Sequence, residues 1–207
     1  MSNLNRRARA FTLIELLVVI TIIAILMGLL FPAFKGVQTQ AKRTQAKNDL
    51  TQLVNGINAY YTEYGKYPIL SSDPTPDATF GESDPKTSLL MDVLRADSQA
   101  RDDPAGVNNL NPKRIQFVQW PIAKDFSQPR NGIGMDGQPY DPWGKTYIVR
   151  IDADYDNAIQ NPYTASTGAG FNPIGSGCIA WSFGPDNKGG SGAKTSTDSD
   201  DDLISWQ

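Results

Sequence analysis

One stretch of the chain limits its fold more than any other, an apolar run over residues 11–31 that reads FTLIELLVVITIIAILMGLLF. Only Thr12, Glu15 and Thr21 are polar among these 21 residues. A bilayer core about 30 Å thick is crossed by about 20 apolar residues in a helix. The run is therefore predicted to span a membrane, and Glu15 is an ionisable group that such a segment rarely carries without a function.

The ten residues before the run predict its orientation. They include Arg6, Arg7 and Arg9 and no acidic residue. Arginines next to a spanning helix stay in the cytoplasm, so the rest of the chain is expected on the far side of the membrane. A secretory signal peptide has a shorter apolar core and a small-residue cleavage site after it, and neither is present here. A plain signal-anchor helix is the remaining alternative.

The residues from Arg9 to Leu17 resemble the processing signal of type IV pilins and type II secretion pseudopilins. The resemblance implies that a prepilin peptidase cuts after Ala10 and methylates the new amino group of Phe11, while the apolar helix is kept. The family usually has glycine before the cut, and Ala10 is also small. In the family, Glu15 would pair with the amino terminus of a neighbouring subunit during assembly. The alternative is a Glu15 side chain that reaches the membrane interface, but the cost of an unpaired charge in lipid favours pairing.

Residues 32–67 are predicted to continue the helix beyond the membrane, with a kink at Pro32. Apolar residues recur there at spacings of three and four, which predicts an amphipathic helix with one buried stripe. The stripe consists of Val37, Ala41, Leu50, Leu53, Val54, Ile57, Tyr60, Tyr61 and Tyr64. Gly65 and then Pro68 predict the end of the helix.

The remaining residues, 68–207, are predicted to form the globular head of an α+β protein. The resemblance implies a type IV pilin-like fold, in which the long N-terminal helix packs on a small antiparallel sheet. Three parts are expected, a variable insertion (68–140), a sheet (141–183), and a calcium-type loop with the C-terminus (184–207). Within the insertion, the sequence predicts a loop over 71–84, a short helix over 87–95 and an edge strand over 115–120.

Acidic residues crowd the C-terminal loop, where Asp198, Asp200, Asp201 and Asp202 precede Leu203. Here the chain resembles the major pseudopilin, which binds calcium between its last strand and a C-terminal tryptophan. The resemblance implies five Ca²⁺ ligands: the carboxylates of Asp186 and Asp200, the side-chain oxygen of Ser199, and the backbone carbonyls of Phe183 and Leu203. The loop is longer here, so Asp198, Asp201 or Asp202 can take the place of a ligand in its second half. A metal-free acidic tail is the alternative.

Asp152, Asp154 and Asp156 imitate the start of an EF-hand loop. Asn157 stands where that loop needs glycine, and Tyr163 stands where it needs a bidentate glutamate. A solvated turn after a strand is therefore favoured over a second calcium site.

The composition excludes several classes of function. The chain has no histidine and one cysteine, Cys178, which excludes Ser-His and Cys-His catalysis, a histidine zinc site and an intramolecular disulfide. Cys178 is expected in a buried strand, and no catalytic residue is assigned. Loss of the three leader arginines would change the formal charge from −3 to −6, which argues against nucleic acid as a partner.

These features predict a non-enzymatic structural subunit of a type II secretion pseudopilus. Its implied partners are other copies of the chain, minor pseudopilins, the inner-membrane assembly platform, the prepilin peptidase and membrane lipid. It would cross the bacterial inner membrane once, with a cytoplasmic N-terminus and a periplasmic head, before it enters the pseudopilus. A type IV or competence pilus subunit is the alternative, although many of those close their C-terminal loop with a disulfide. A membrane-anchored enzyme or binding module is disfavoured.

Overall fold

The computed structural model describes residues 11–69, 77–81, 87–97, 109–163, 169–186, 188 and 201–206. The chain divides into two compact units, Met1–Ala41 and Lys42–Gln207. One helix, α1 (Leu13–Tyr64, 52 residues), contributes to both, and it is continuous through residue 32.

The first unit, as far as it is described, consists of the N-terminal part of α1. Those of its large apolar side chains that the structure describes are exposed, from Leu13 at 88% to Val37 at 67%. A mean hydropathy of 2.9 over 18 residues makes this helix long and apolar enough to cross a membrane. The predicted spanning run is therefore helical from Leu13 on, and the described residues of the chain bury none of its 18-residue apolar window.

In the second unit, α1 buries one stripe against the head. Ala46, Leu50, Leu53, Ile57 and Tyr60 follow one another at spacings of four and three, and none of them has exposed surface. This spacing keeps the five side chains on one side of a helix with 3.6 residues per turn. The predicted stripe is correct from Leu50 to Tyr60, but Val37, Ala41 and Tyr61 are exposed. Val37 and Ala41 are exposed because they lie before the head begins.

The end of α1 is as predicted. The helix ends at Tyr64, and Gly65 follows with a φ of +67°, a left-handed conformation that glycine adopts without strain. The Gly65 N–H donates to the Tyr61 carbonyl at 2.8 Å. This C-cap ends α1, and the chain then continues toward the first strand of the head.

The head contains a four-stranded antiparallel sheet, a two-stranded hairpin and one short helix. In chain order the elements are β1 (Asp77–Phe80), α2 (Thr87–Arg95), β2 (Gly132–Ile133), β3 (Pro139–Tyr140), β4 (Ile148–Asp152), β5 (Cys178–Ser182) and β6 (Leu203–Ile204). The sheet order is β1–β4–β5–β6, and β2 pairs with β3. The α+β fold class with a long helix and a small antiparallel sheet is therefore confirmed.

Two local predictions in the insertion are wrong. Residues 77–80, predicted as part of a loop, form β1 and pair with β4, with Phe80 opposite Val149. Residues 115–120, predicted as an edge strand, form none; instead the N–H groups of Phe117 and Val118 donate to the Leu94 carbonyl at the end of α2. Both outcomes depend on partners far away in the sequence, so local alternation could not reveal them.

The alternation of β4 is that of a half-buried strand, but the central strands β4 and β5 are buried on both faces, whereas the edge strand β1 is mostly only partly buried. Tyr147, Val149 and Ile151 pack with α1 and α2 in one core. Ile148, from the opposite face, packs with Trp181 and other residues in a second, smaller core. The second core is covered by the segment around Tyr163 and Ala169, both buried. Cys178 is buried in β5, as predicted.

Candidate functional site

The start of α1 is stabilised by a reciprocal pair of hydrogen bonds between Thr12 and Glu15. The Thr12 N–H and hydroxyl donate to Glu15 Oε2 at 2.9 and 2.7 Å, and the Glu15 N–H donates to Thr12 Oγ1 at 3.3 Å. This arrangement is a capping box, which occupies two backbone N–H groups that have no partner inside the helix.

The capping box gives Glu15 a role inside its own chain that differs from the predicted pairing with a neighbour's amino group. The signal was present in the sequence as threonine, two residues, then glutamate before an apolar helix. Only Oε2 is used in these bonds, so the second oxygen remains available for a cation. Pairing with the amino terminus of another subunit stays a prediction. Ala10, the predicted cleavage position, lies outside the described residues.

At the other end of the chain, β5 and β6 bring acidic residues together. Leu203 of β6 lies opposite Ser182, the last residue of β5, so the segments that leave these two strands run side by side. Gly184 then passes so close to Asp201 that a Cβ there would lie 2.4 Å from the Asp201 carbonyl oxygen. Because of this close approach, carboxylate oxygens of Asp186, Asp201 and Asp202 all lie within 4.8 Å of one another.

The three carboxylates differ in their surroundings. Asp186 is exposed, and its N–H donates to Asp201 Oδ2 at 3.2 Å. Asp202 is buried, and its Oδ2 accepts a hydrogen bond from the Tyr163 hydroxyl at 2.8 Å. The other oxygen of Asp201, Oδ1, is buried and has no hydrogen-bond partner among the described residues. A buried carboxylate oxygen without a donor is costly unless a cation or a proton compensates it.

This donor set fits Ca²⁺, which takes six to eight oxygen ligands from carboxylates, carbonyls and water. Of the predicted ligands, the fold brings Phe183, Asp186 and Leu203 to this end of the sheet. Asp201 and Asp202, predicted as alternatives, belong to the cluster. Ser199 and Asp200 lie outside the described residues. Tyr163 was missed as a neighbour because it lies 39 residues away from Asp202.

A second acidic cluster follows β4, where Asp152, Asp154 and Asp156 have carboxylate oxygens within 4.8 Å of one another. Both oxygens of Asp152 accept backbone N–H groups, from Tyr155 at 2.7 Å and from Asn157 at 2.8 Å. These bonds are those of a tight turn after β4. The preference for a metal-free turn over a second calcium site stays a prediction.

A buried polar network joins α1 to the turn after β3. Asp49 accepts hydrogen bonds from the Tyr147 hydroxyl at 2.7 Å and from the Gln45 amide at 2.8 Å. Burial is the largest cause that raises the pKa of Asp49, and the Asp141 carboxylate raises it further, whereas the two hydrogen bonds lower it. Local sequence patterns could not predict this contact, because Asp49 and Tyr147 lie 98 residues apart in the chain.

Asp141 organises the turn that the sequence shows as Asp-Pro-Trp-Gly. Its Oδ1 accepts the N–H groups of Trp143, Gly144 and Lys145 at 2.8–2.9 Å, and its Oδ2 accepts the Ser182 hydroxyl at 2.6 Å. Gly144 has a φ of +93°, which favours glycine. The motif therefore has a structural role, since it fixes the turn against β5.

Comparison with known proteins adds a family-level result. The prokaryotic N-terminal methylation motif matches residues 5–31. The chain is 38% identical over 66 residues to the type IV major pilin protein PilA of Myxococcus xanthus. It is 34% identical over 65 residues to the type II secretion system core protein G of Dickeya chrysanthemi, and 36% identical over 64 residues to that of Aeromonas hydrophila. No solved structure matches the chain.

These matches are partial. They cover 32%, 31% and 31% of this chain, and 30%, 42% and 45% of the three relatives in the same order. The chain thus aligns with less than half the length of each of these relatives. Pilin and secretion-core relatives match over segments of similar length, so these matches define the wider group better than they distinguish its two branches.

Proposed function

Because the chain is a type IV pilin-like protein with the N-terminal methylation motif, we propose that it is the structural subunit of a type II secretion pseudopilus. One observation carries the proposal: the exposed apolar part of α1 begins directly at the motif, with the Thr12–Glu15 capping box as its first turn. A helix of this kind needs lipid or other helices around it. A membrane store of subunits and a filament core provide these two environments in turn.

Processing precedes assembly in this proposal. A prepilin peptidase cuts after Ala10 on the cytoplasmic side and methylates the amino group of Phe11. The arginines of residues 1–10 hold the N-terminus in the cytoplasm, and the head lies in the periplasm. Minor pseudopilins and the inner-membrane assembly platform are the proposed further partners.

Glu15 has two tasks in the assembled state. Oε2 holds the first turn of the helix, as it does in the isolated chain. The remaining carboxylate charge is compensated by the amino terminus of Phe11 in a neighbouring subunit. An intramembrane carboxylate without a cation is expensive, so this pairing fixes the position of one helix against the next.

The acidic end of the sheet is the proposed calcium site. Asp186, Asp201 and Asp202 would hold the ion, with the backbone carbonyls of Phe183 and Leu203 as further candidates. Bound Ca²⁺ supplies positive charge to three crowded carboxylates. The buried, unpartnered Oδ1 of Asp201 supports this assignment, because the site has a polar atom that the described protein groups do not satisfy.

A type IV pilus subunit is the second candidate, and the match to the Myxococcus xanthus pilin favours it. Two features favour the pseudopilin. The chain has a single cysteine, which excludes a disulfide-closed C-terminal loop, and carboxylates occupy that loop instead.

The intact mass of the protein extracted from membranes tests the proposal. A mature chain that begins with methylated Phe11 is expected, and an uncut chain would contradict assignment to either filament class. Deletion of the gene then separates the two classes. Loss of secreted hydrolases is expected for a pseudopilin, whereas loss of surface fibres with normal secretion identifies a pilus subunit.

A further inference from the structure

A cleft opens on the head between α2 and the β2–β3 hairpin. Its volume is about 180 Å³, and it is lined by Arg95, Ile122, Phe126, Ile133, Met135 and Asp136, among others. Three of the apolar lining residues are unusually exposed, Ile122 at 64%, Met135 at 58% and Phe126 at 48%. Apolar side chains gathered and exposed in this way indicate an interaction surface.

Away from the cleft, the most exposed large apolar side chain among the described residues of the head is the ring of Phe171. Phe171 is 86% exposed, and it lies in the segment that covers the second core. Its backbone is fixed by the buried Asn161, whose amide donates to the Phe171 carbonyl at 3.1 Å and whose N–H donates to Asn172 Oδ1 at 3.0 Å. A ring on a fixed backbone loses little conformational freedom when it is buried by a partner.

We propose that Phe171 of one copy of the chain inserts into the α2–hairpin cleft of a second copy. This contact rests on the proposed filament, which brings copies side by side. The sizes agree, because a cavity of about 150 Å³ is known to accommodate a benzene ring. Arg95 also lines the cleft; its Nη1 lies 3.5 Å from Asp97 Oδ2, and the planar face of its guanidinium can still stack on an inserted ring.

The charge distribution favours this occupant. Residues 68–207 carry 19 acidic and 11 basic side chains, a formal charge of −8, so two heads repel each other over most of their surface. The cleft lining includes three acidic residues: the buried Asp92, Asp97 in an ion pair with Arg95, and Asp136. Residues 157–185 contain no charged side chain. Phe171 lies within this uncharged segment, so it can approach the acidic lining of the cleft without repulsion between like charges.

The topology requires the contact to join different copies. Ile133 and α2 pack on the side of the sheet that faces α1, whereas the segment around Phe171 packs on the opposite face. One head therefore cannot fill its own cleft with its own Phe171. A contact between two different surfaces of the same molecule is heterologous, and it extends into an open helical array unless the rotation closes it. This is the geometry of a filament.

The contact is too small to act alone. One aromatic ring buries about 150–250 Å², against about 800 Å² per partner in a stable complex. We therefore expect it between copies that share a membrane or a filament, where the effective concentration is high. The experiment uses the full-length chain, expressed in membranes together with a prepilin peptidase.

Disulfide cross-linking provides the first test, with Phe171→Cys and Met135→Cys in one chain. Each copy then carries both halves of the contact, so mild oxidation is expected to give a ladder of dimers, trimers and higher species. Cys178 stays in place, because it is buried and burial raises the pKa of its thiol to about 12.

Three control variants make the cross-linking specific. Each single variant, Phe171→Cys or Met135→Cys, is expected to give no ladder. Gly175→Cys combined with Met135→Cys is the matched control, because a Cβ at Gly175 meets nothing within 4 Å and the residue belongs to the same uncharged segment. A ladder of equal strength from this control, or dimers from a single variant, would overturn the contact.

A second measurement does not depend on cysteines. The sedimentable fraction of Phe171→Ala is expected to fall about tenfold, in line with loss of a buried ring, while Phe171→Leu stays within about twofold. Electron microscopy of the unmodified chain separates the two hypotheses. Filaments without a ladder, or with full assembly of Phe171→Ala, refute the contact and leave the proposed function in place. Failure of the unmodified chain to assemble refutes both.

Discussion

The first unit and the head of this protein differ in whether the apolar side chains of α1 are exposed or buried. Between Leu13 and Val37 the large apolar side chains of α1 that the structure describes are exposed, whereas from Ala46 to Tyr60 the same helix buries a complete stripe. Helical periodicity is present in both parts, so it does not explain the difference. What differs is the partner: the head itself covers the buried stripe, whereas under the proposed function lipid or other copies of the chain cover the first unit. The structure of one copy therefore shows what packs against the C-terminal part of α1, in the head, but not what packs against its N-terminal part.

The largest expected effect concerns Glu15, because its proposed partner, the amino terminus of a neighbouring subunit, lies outside the chain. Glu15→Ala removes both the capping box and the charge, while Glu15→Gln keeps an acceptor for the Thr12 N–H and removes only the charge. If pairing with a neighbouring amino terminus dominates, both variants lose assembly by the same large factor, since breaking a buried charge pair costs about 2–5 kcal/mol. The measurement is the sedimentable fraction of membrane-extracted protein.

The glutamine variant decides between the two roles of Glu15. Near-normal assembly of Glu15→Gln would show that helix capping, worth only about 0.5–2 kcal/mol, is the important role. Circular dichroism of each variant in detergent provides the control, because the helix itself should persist in both. The head, which lies far along the chain from this residue, should melt unchanged.

Calcium tests whether the head also depends on a partner outside the chain. Ca²⁺ at a hundred times its dissociation constant should stabilise the head by about 2.7 kcal/mol, a rise in melting temperature of roughly 5–10 °C. Chelator should reverse the rise. Asp201→Asn should abolish it, while Asp154→Asn, in the second acidic cluster, serves as the matched control. An equal response of both variants, or none in the unmodified chain, would argue against the site.

Substitution of two glycines of α1, one in each unit, tests how closely each part of the helix is packed. A Cβ at Gly56 would lie 2.1 Å from Cγ2 of the buried Val118, whereas a Cβ at Gly36 meets nothing within 4 Å. Overpacking by Gly56→Ala should therefore destabilise the head by about 1–3 kcal/mol. The better helix propensity of alanine should offset about 1 kcal/mol of this loss. Gly36→Ala should leave the head unchanged. Urea denaturation followed by tryptophan fluorescence measures both, and equal values would mean that the close packing at Gly56 is absent.

The smallest effect is the pH dependence of Asp49, for which burial raises the folded-state pKa above its ordinary value. The unfolded chain releases this proton first as the pH rises, so the contribution of Asp49 to stability falls between the unfolded and folded pKa values and stays low above them. Asp49→Asn should therefore gain stability relative to the unmodified chain at pH 7 and lose that advantage near pH 3. Urea midpoints at both pH values check this, and a pH-independent difference would contradict it.

Whether each region of the structure could be predicted from the sequence depends on how close together in the chain the interacting residues lie. The spanning run, the end of α1 at Tyr64, helix α2 and the buried strand of Cys178 were all predictable, because each depends on residues within a few turns or one strand. The capping box at Thr12 and Glu15 was equally local and was overlooked. Strand β1 was missed because its partner, β4, lies about 70 residues later in the chain.

The sequence by itself determined the apolar helix, the processing motif and the identity of most residues in the acidic C-terminal loop, since these are properties of contiguous segments. Only the tertiary structure decided which carboxylates meet. Antiparallel pairing of β5 with β6 brings Asp186 to Asp201 and Asp202 and places Tyr163 beside them. Likewise, only the fold put Phe171 and the α2–hairpin cleft on opposite sides of one sheet. Long-range strand pairing sets these relations, and no local pattern in the sequence encodes them.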